Sequence, residues 1–428
     1  MRRIKTAFLL ILVVSFLFCF SSNALDKPRA FPEKHASDFS RVYWIADMGG
    51  DFGTRICFAV WSNDSGYIIF NKKETSDPEE PAEKMRLWIV NVKNHKANVI
   101  SNSRGWGIVN RPWSTNSKYV IFVKDGSIYV ATNEGGTAKK IFGREDSFIA
   151  TPYLVCWIPN SSKVSYVKIK NDGYYLCAVN VENGKKEELF RLGDRKFAVR
   201  FIAWFAKGKK FAYQMTYEPK DFSSWKSYLY LTDKKGKNKI FITPERFHTD
   251  MEWDKDAGSV VYSVWRTSPA SGKGRRDIYI YNIKSGVEKR LTTSGDNYSP
   301  EFSYDKKYII YFHAGEKQII PNGRLPFREL KSVEIATGKT FSISDGLGAV
   351  LGAIALRKNI VVYARVITKE KKGTTEYICF MMMNRIRGKN NHKIFPGQKL
   401  TINMMTNNSD RTKFGFHYDG QLWGVDLK

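Results

Sequence analysis

The feature that most constrains this chain is a unit of about fifty residues that recurs along nearly all of it. Its cleanest copy is Leu291–Glu316, LTTSGDNYSPEFSYDKKYIIYFHAGE. A short β run ends at Leu291-Thr292, Gly295 and Asp296 supply a turn, and Ser299-Pro300-Glu301-Phe302 leads a new strand. The polar turn Ser303–Lys307 then gives way to a β-branched and aromatic run, Tyr308–Phe312. Short apolar runs bounded by turn residues are strands, not helices.

In each copy a strand ends near an aromatic residue, a polar turn follows, and a second strand is rich in Val, Ile, Tyr and Phe. The aromatic position falls at Trp61, Trp113, Trp157, Trp204, Trp253 and Phe302, then at Ile354 and Met405, where the aromatic is lost. Every copy but the last precedes a further hairpin, from LWIVNVKNHKANVI to YICFMMMNRIRGKNNHKIF, with Asn, Gly or Lys at the turn. Four antiparallel strands per fifty residues is the period of a β-propeller blade. The expected fold is all-β: a single β-propeller of four-stranded blades over residues 41–428, with eight blades. Seven is the alternative, since the last two copies are degenerate. The eighth copy supplies only three strands, ending with Gln421–Asp426. The isolated β run Arg41–Ala46 is expected to add the fourth and lock the ring, removing an open sheet edge.

Residues 1–24 read as a signal peptide. Arg2, Arg3 and Lys5 precede an apolar run, Ala7–Phe20, and Ser22-Asn23-Ala24 has the small-x-small form of a cleavage site. The run is shorter than the ~20 residues of a comfortable span, so no transmembrane segment is expected after cleavage. Cys19 follows Phe18 rather than a small residue, which argues against lipidation. The chain is expected to be exported, periplasmic or extracellular, with residues 25–40 as a polar lead-in. Cys57, Cys156, Cys177 and Cys379 lie in apolar runs and read as small buried hydrophobes rather than a disulfide framework. The formal net charge is +27, and loss of Arg2, Arg3 and Lys5 leaves +24. Such a surface favours polyanions, and export makes nucleic acid an unexpected partner. An acidic polysaccharide or an envelope protein is the expected partner.

The segment NYSPEFSYDKKYIIYF, with the DIYIYN and RLT strands of the preceding copy, resembles the repeats of TolB-like propellers. It also resembles those in the propeller domains of the prolyl oligopeptidase and dipeptidyl peptidase families. The resemblance implies the fold and little about function. Those peptidases also need an α/β-hydrolase domain with a G-x-S-x-G elbow, which this sequence lacks, so serine peptidase activity is not expected. TolB itself carries a further N-terminal α/β domain, for which the lead-in has no room.

Blade topology puts connections between strands two and three on the same face as those between successive blades. Six of these are expected to be long: 71–85, 101–110, 217–227, 267–276, 315–331 and 368–375. Long loops on a rigid scaffold are where binding sites concentrate. They or their flanks carry Arg104, Trp106, Arg111, Arg200, Trp225, Arg266, Arg275, Arg276, Arg324 and Arg328. Guanidinium forks take carboxylate or sulfate at two points, and indole faces stack on flat ligands. No cofactor is expected of a binding protein. The alternative is a divalent transition metal held by His248, His313 and His417, all placed on the same face. Oligogalacturonate lyases, propellers with a His-bound metal, supply the analogy, although no local His motif of theirs occurs here. Ser271–Arg276 lacks the spacing of a phosphate loop, and Asp254-Lys255-Asp256 is only a fragment of a calcium loop.

Overall fold

The computed structural model describes residues 38–47, 59–73, 85–102, 107–143, 153–219, 225–242, 248–254, 256–266, 275–314, 328–344, 346, 349–371, 374–388, 391–394, 398–399, 405–418 and 421–428. The described chain is all-β: eight antiparallel sheets form eight blades of a propeller, with two three-residue 3-10 turns and no α-helix. The inner strands are Ala59–Trp61, Ile108–Trp113, Val155–Trp157, Ala198–Phe205, His248–Trp253, Asp296–Phe302, Ala349–Ala355 and Met405–Asn407. Blades 1 to 7 follow sequence order from the axis outward. In blade 7 the outer strand is broken, so that His392–Lys393 and Gln398–Lys399 pair separately with Thr374–Arg385.

Blade 8 closes as expected. Its outermost strand is Phe39–Asp47, antiparallel to Gln421–Leu427, with Arg41 opposite Asp426 and Val42 opposite Val425. Asn408 Nδ2 donates to Ser65 Oγ at 3.0 Å and Ser409 Oγ to the Asn63 carbonyl at 3.0 Å, joining blade 8 to blade 1. Residues 1–37, with the expected signal peptide, lie outside the described residues, as does Cys57. No helix among the described residues is long and apolar enough to cross a membrane.

The core lies between blades. Trp157, Val164 and Tyr166 of blade 3 pack against Ile121, Val130 and Phe142 of blade 2, and Trp204 and Phe211 of blade 4 against Leu176 of blade 3. Trp61, Trp113, Trp157, Trp204 and Trp253 are all buried. The indoles of Trp113 and Trp157 also serve an inner strand's free edge, where backbone groups have no ladder partner. Trp113 Nε1 donates to the Val60 carbonyl at 3.0 Å and Trp157 Nε1 to the Pro112 carbonyl at 2.7 Å. Cys156, Cys177 and Cys379 are buried and in no disulfide, as their apolar context implied.

The strand register corrects two positions. Trp61 faces Ile68, Trp157 faces Val164 and Phe302 faces Ile309; the equivalent residues in blades 7 and 8 are Ala355 and Asn407, not Ile354 and Met405. Without an aromatic marker, hydrophobicity alone selects the nearest large apolar side chain. Blade 7 adds to the ambiguity with a turn one residue shorter, closed from Leu356 N–H to the Ile360 carbonyl.

The inner turns of blades 1, 2 and 6 share one hydrogen-bonding pattern. Ser303 Oγ donates to Asp305 Oδ1 at 2.6 Å, Lys307 N–H reaches the same oxygen at 3.1 Å, and Tyr308 N–H reaches Ser303 Oγ at 3.0 Å. Ser62 with Asp64 and Ser114 with Asn116 repeat it. The fourth turn residue is left-handed, at φ 62° for Ser65 and 58° for Lys306. Neighbouring turns are also tied to each other: Asn63 to Ser114, Lys306 to Asp254, Asn359 to Asp305, and Arg357 to Asp410.

Candidate functional site

On the opposite face the connections differ from blade to blade. In blades 2 and 3 the second and third strands join through two residues, Asp125-Gly126 and Asn171-Asp172. Blades 1, 4, 5 and 6 use 74–84, 218–225, 266–275 and 315–328 instead. The expected loop 368–375 is mostly ladder, because Ile360–Lys371 and Thr374–Arg385 extend until two residues remain between them. The loop 101–110 likewise shrinks to 103–107.

At the base of the long connections of blades 5 and 6 lies an arginine-aromatic patch. The Arg276 guanidinium sits 4.7 Å from the Trp265 ring and 4.2 Å from the Tyr298 ring, and Arg328 sits 5.5 Å from Tyr298. Arg276 is a fork already filled: Nε and Nη2 donate to the two oxygens of Asp296 at 2.8 and 2.7 Å. Arg266 is held by buried Asp277 at 2.9 Å and by the Thr293 and Gly295 carbonyls. Burial pushes the Asp277 carboxyl up, although Arg266 and Arg290 draw it down. Arg200 grips Glu218 with both fork nitrogens. Sequence reasoning saw these forks as open; a carboxylate of the same chain occupies each of them. Exposed Arg275 borders the patch, and Trp225 is half-buried with Nε1 donating to the Pro219 carbonyl at 3.0 Å. Arg104, Trp106 and Arg324 lie outside the described residues.

The three candidate histidines sit in blades 5, 6 and 8. His248 is buried edge-on to Tyr262, with ring centres 5.0 Å apart, and His417 is buried. His313 Nδ1 is 2.8 Å from Asn297 Oδ1, and burial, helped by Lys331, lowers its pKa. A Cβ at Gly295, where φ is +73°, would lie 2.2 Å from the His313 ring, so this turn requires glycine. Among the described residues, no group of three His, Cys, Asp or Glu is placed to hold a metal.

A second constellation lies on the axis, and sequence reasoning found only one of its members. Arg411, in the inner turn of blade 8, passes blade 7 to donate through Nη1 to the Phe302 carbonyl at 2.7 Å. Its Nη2 lies 3.5 Å from Glu252 of blade 5 and 3.2 Å from Glu301 of blade 6. Glu252 in turn accepts the Phe302 N–H at 2.5 Å, and Glu301 accepts a backbone hydrogen bond from Ala355. Both carboxylates therefore serve free edges of neighbouring inner strands. Burial, reinforced by the charge of Glu301, pushes the Glu252 carboxyl up to about 8. Burial also raises Glu301, against the pull of Arg411. Arg111 of blade 2 reaches past blade 3, its Nη1 3.4 Å from the Trp204 carbonyl and its guanidinium 5.2 Å from the Phe205 ring centre. Arg111 keeps exposed surface, while desolvation by the protein packed around it lowers its pKa. A signal for the glutamates existed: both immediately precede the aromatic position, where other blades have Val60, Pro112, Cys156, Ala203 or, by the register, Ile354.

No protein-family model and no curated protein matches the sequence. Solved structures do match in fold. Dipeptidyl peptidase 4 of Porphyromonas gingivalis aligns with 80% of this chain at 15% identity and a TM-score of 0.53. The tricorn protease aligns with 85% at 13% identity and a TM-score of 0.51. This chain spans 52% and 37% of those two proteins' lengths. An oligogalacturonate lyase in complex with manganese aligns with 94% of this chain and 97% of its own, at 12% identity and a TM-score of 0.50. At such identities the likeness establishes architecture alone: this chain is an eight-bladed β-propeller.

Proposed function

We propose that this chain is an exported, non-catalytic propeller that binds an acidic polysaccharide through the face bearing its long connections. The observation that carries this reading is the segregation of the connections. One face is uniformly tied by tight turns, whereas blades 1, 4, 5 and 6 break that economy on the other. The chain's formal charge of +27 supplies the attraction for a polyanion, and aromatic rings at the base of the connections suit sugar faces. Purified mature protein should be retained by immobilised polygalacturonate and not by dextran. Retention should fall steeply between about 50 and 500 mM salt, because charge pairs at an open face are screened. Retention that ignores both salt and polymer charge contradicts this reading and favours a protein partner in the envelope. Export predicts a mature N-terminus at Leu25, read directly by Edman sequencing.

A metal-assisted polyuronate lyase is the second reading, favoured by the end-to-end fold likeness to the manganese-bound oligogalacturonate lyase. It requires donors beyond His248, His313 and His417 as they stand, since these are not gathered among the described residues. Stoichiometric divalent metal in the purified protein, with unsaturated uronate products absorbing in the ultraviolet, would establish it.

A further inference from the structure

The axial constellation is separate from the long connections and poses its own question of charge. Arg411 is matched by Glu252 and Glu301. Arg111 is not matched in this way. Its only hydrogen bond among the described residues is the 3.4 Å donation to the Trp204 carbonyl, and no described carboxylate lies within ion-pair distance of it. Arg200, Arg266 and Arg276, by contrast, each hold a carboxylate of this chain. A guanidinium offers five N–H donors, and one with most of them unspent by the protein must keep water or take an anion.

We propose that the axial channel binds a small organic monocarboxylate, anchored on the Arg111 guanidinium and floored by Glu252, Glu301 and Arg411. Arg411 crosses from the inner turn of blade 8 to blades 5 and 6, so the ligand is expected to enter from the face of the long connections. A single carboxylate fits the charge of the site better than a dianion. The groups facing Glu252 are Glu301, Arg411, Arg111 and the Phe302 N–H. With one proton held by the Glu252–Glu301 pair, the site carries two guanidinium charges against one carboxylate, leaving room for one more negative group. The protonated Glu252 carboxyl also has an O–H to donate to the ligand. When Glu252 ionises, near pH 8 and above, the charges balance and the ligand's carboxylate meets a like charge. Binding therefore includes retention of the Glu252 proton and weakens as the pH rises through that value. None of this rests on the polysaccharide reading, whose site is the outer connections.

Isothermal titration of the full mature protein with D-glucuronate, with glucose and sulfate as controls, tests the assignment. Glucuronate should bind at pH 6.5, glucose should not, and affinity should fall about tenfold or more at pH 9. Arg111→Gln should weaken binding by about tenfold or more, as loss of a two-point charged contact does. Arg111→Lys should be intermediate, and it decides the matter if the glutamine variant fails to fold. Glu252→Gln should remove the difference between pH 6.5 and pH 9. Three results would overturn the proposal: glucuronate binding unchanged in a folded Arg111 variant, sulfate binding as tightly as glucuronate, or no binding of glucuronate, acetate or pyruvate.

Discussion

The two faces of this propeller obey different rules. On the tight-turn face, the Ser-x-Asp or Ser-x-Asn pattern satisfies the N–H groups of the turns in blades 1, 2 and 6, and links such as Asn359 to Asp305 bind one blade to the next. There the repeat is a structural device, and its polar residues are spent inside the fold. On the other face the same scaffold carries connections of different length, and at their bases Arg276 packs between Trp265 and Tyr298. Regularity thus marks the face that holds the ring together, and irregularity the face free to acquire a ligand.

Removing Phe39–Asp47 should have the largest effect, since it unpairs Gln421–Leu427 and opens the ring. The expected loss exceeds about 5 kcal/mol and abolishes a cooperative unfolding transition; a sharp, wild-type-like transition would contradict closure by this strand. Next come two tryptophans chosen from the two regimes. Trp157→Ala removes a buried repeat residue and should cost about 3–5 kcal/mol in denaturant unfolding. Trp225→Ala, at the edge of a long connection, should cost under about 1 kcal/mol. Similar costs for both would erase the proposed distinction.

The axial glutamate supplies a pH signature. Because the folded pKa of Glu252 lies above its unfolded value, the native state binds more protons than the unfolded chain between about pH 4.5 and 8. This group's contribution to stability therefore falls as pH rises across that window and is flat above it. The expected drop is roughly 1–3 kcal/mol, and Glu252→Gln should flatten it. An unaltered slope in the variant would assign the dependence elsewhere. The smallest effect is expected of Asp305→Ala, about 1–2 kcal/mol, from lost turn hydrogen bonds and the link to Asn359.

The ring was legible in the sequence because its signal is periodic: the aromatic position and its following turn identify six blades directly. Strand Arg41–Ala46 was legible as the missing partner of an incomplete last copy. The register of blades 7 and 8 was not, since Ala355 and Asn407 carry no aromatic to mark it. The site was harder to read because partnership is a three-dimensional property. Arg276 and Asp296 are twenty residues apart, and nothing in either sequence neighbourhood announces that one fills the other. Arg411 meets Glu252 and Glu301 only because the ring turns inner strands and inner turns of non-adjacent blades toward one axis. Arg111 was singled out for the outer face, yet the fold turns it to the axis.

The most direct test of the division between faces is polygalacturonate binding by a chain whose 267–274 and 315–327 connections are replaced by two-residue turns like Asp125-Gly126. Lys207→Glu with Lys358→Glu, exposed turn positions on the tight-turn face, is the control. The shortened chain should unfold at an unchanged temperature and lose binding, while the control keeps it. Full binding by the shortened chain, or its loss in the control alone, would contradict the assignment of function to the long-connection face.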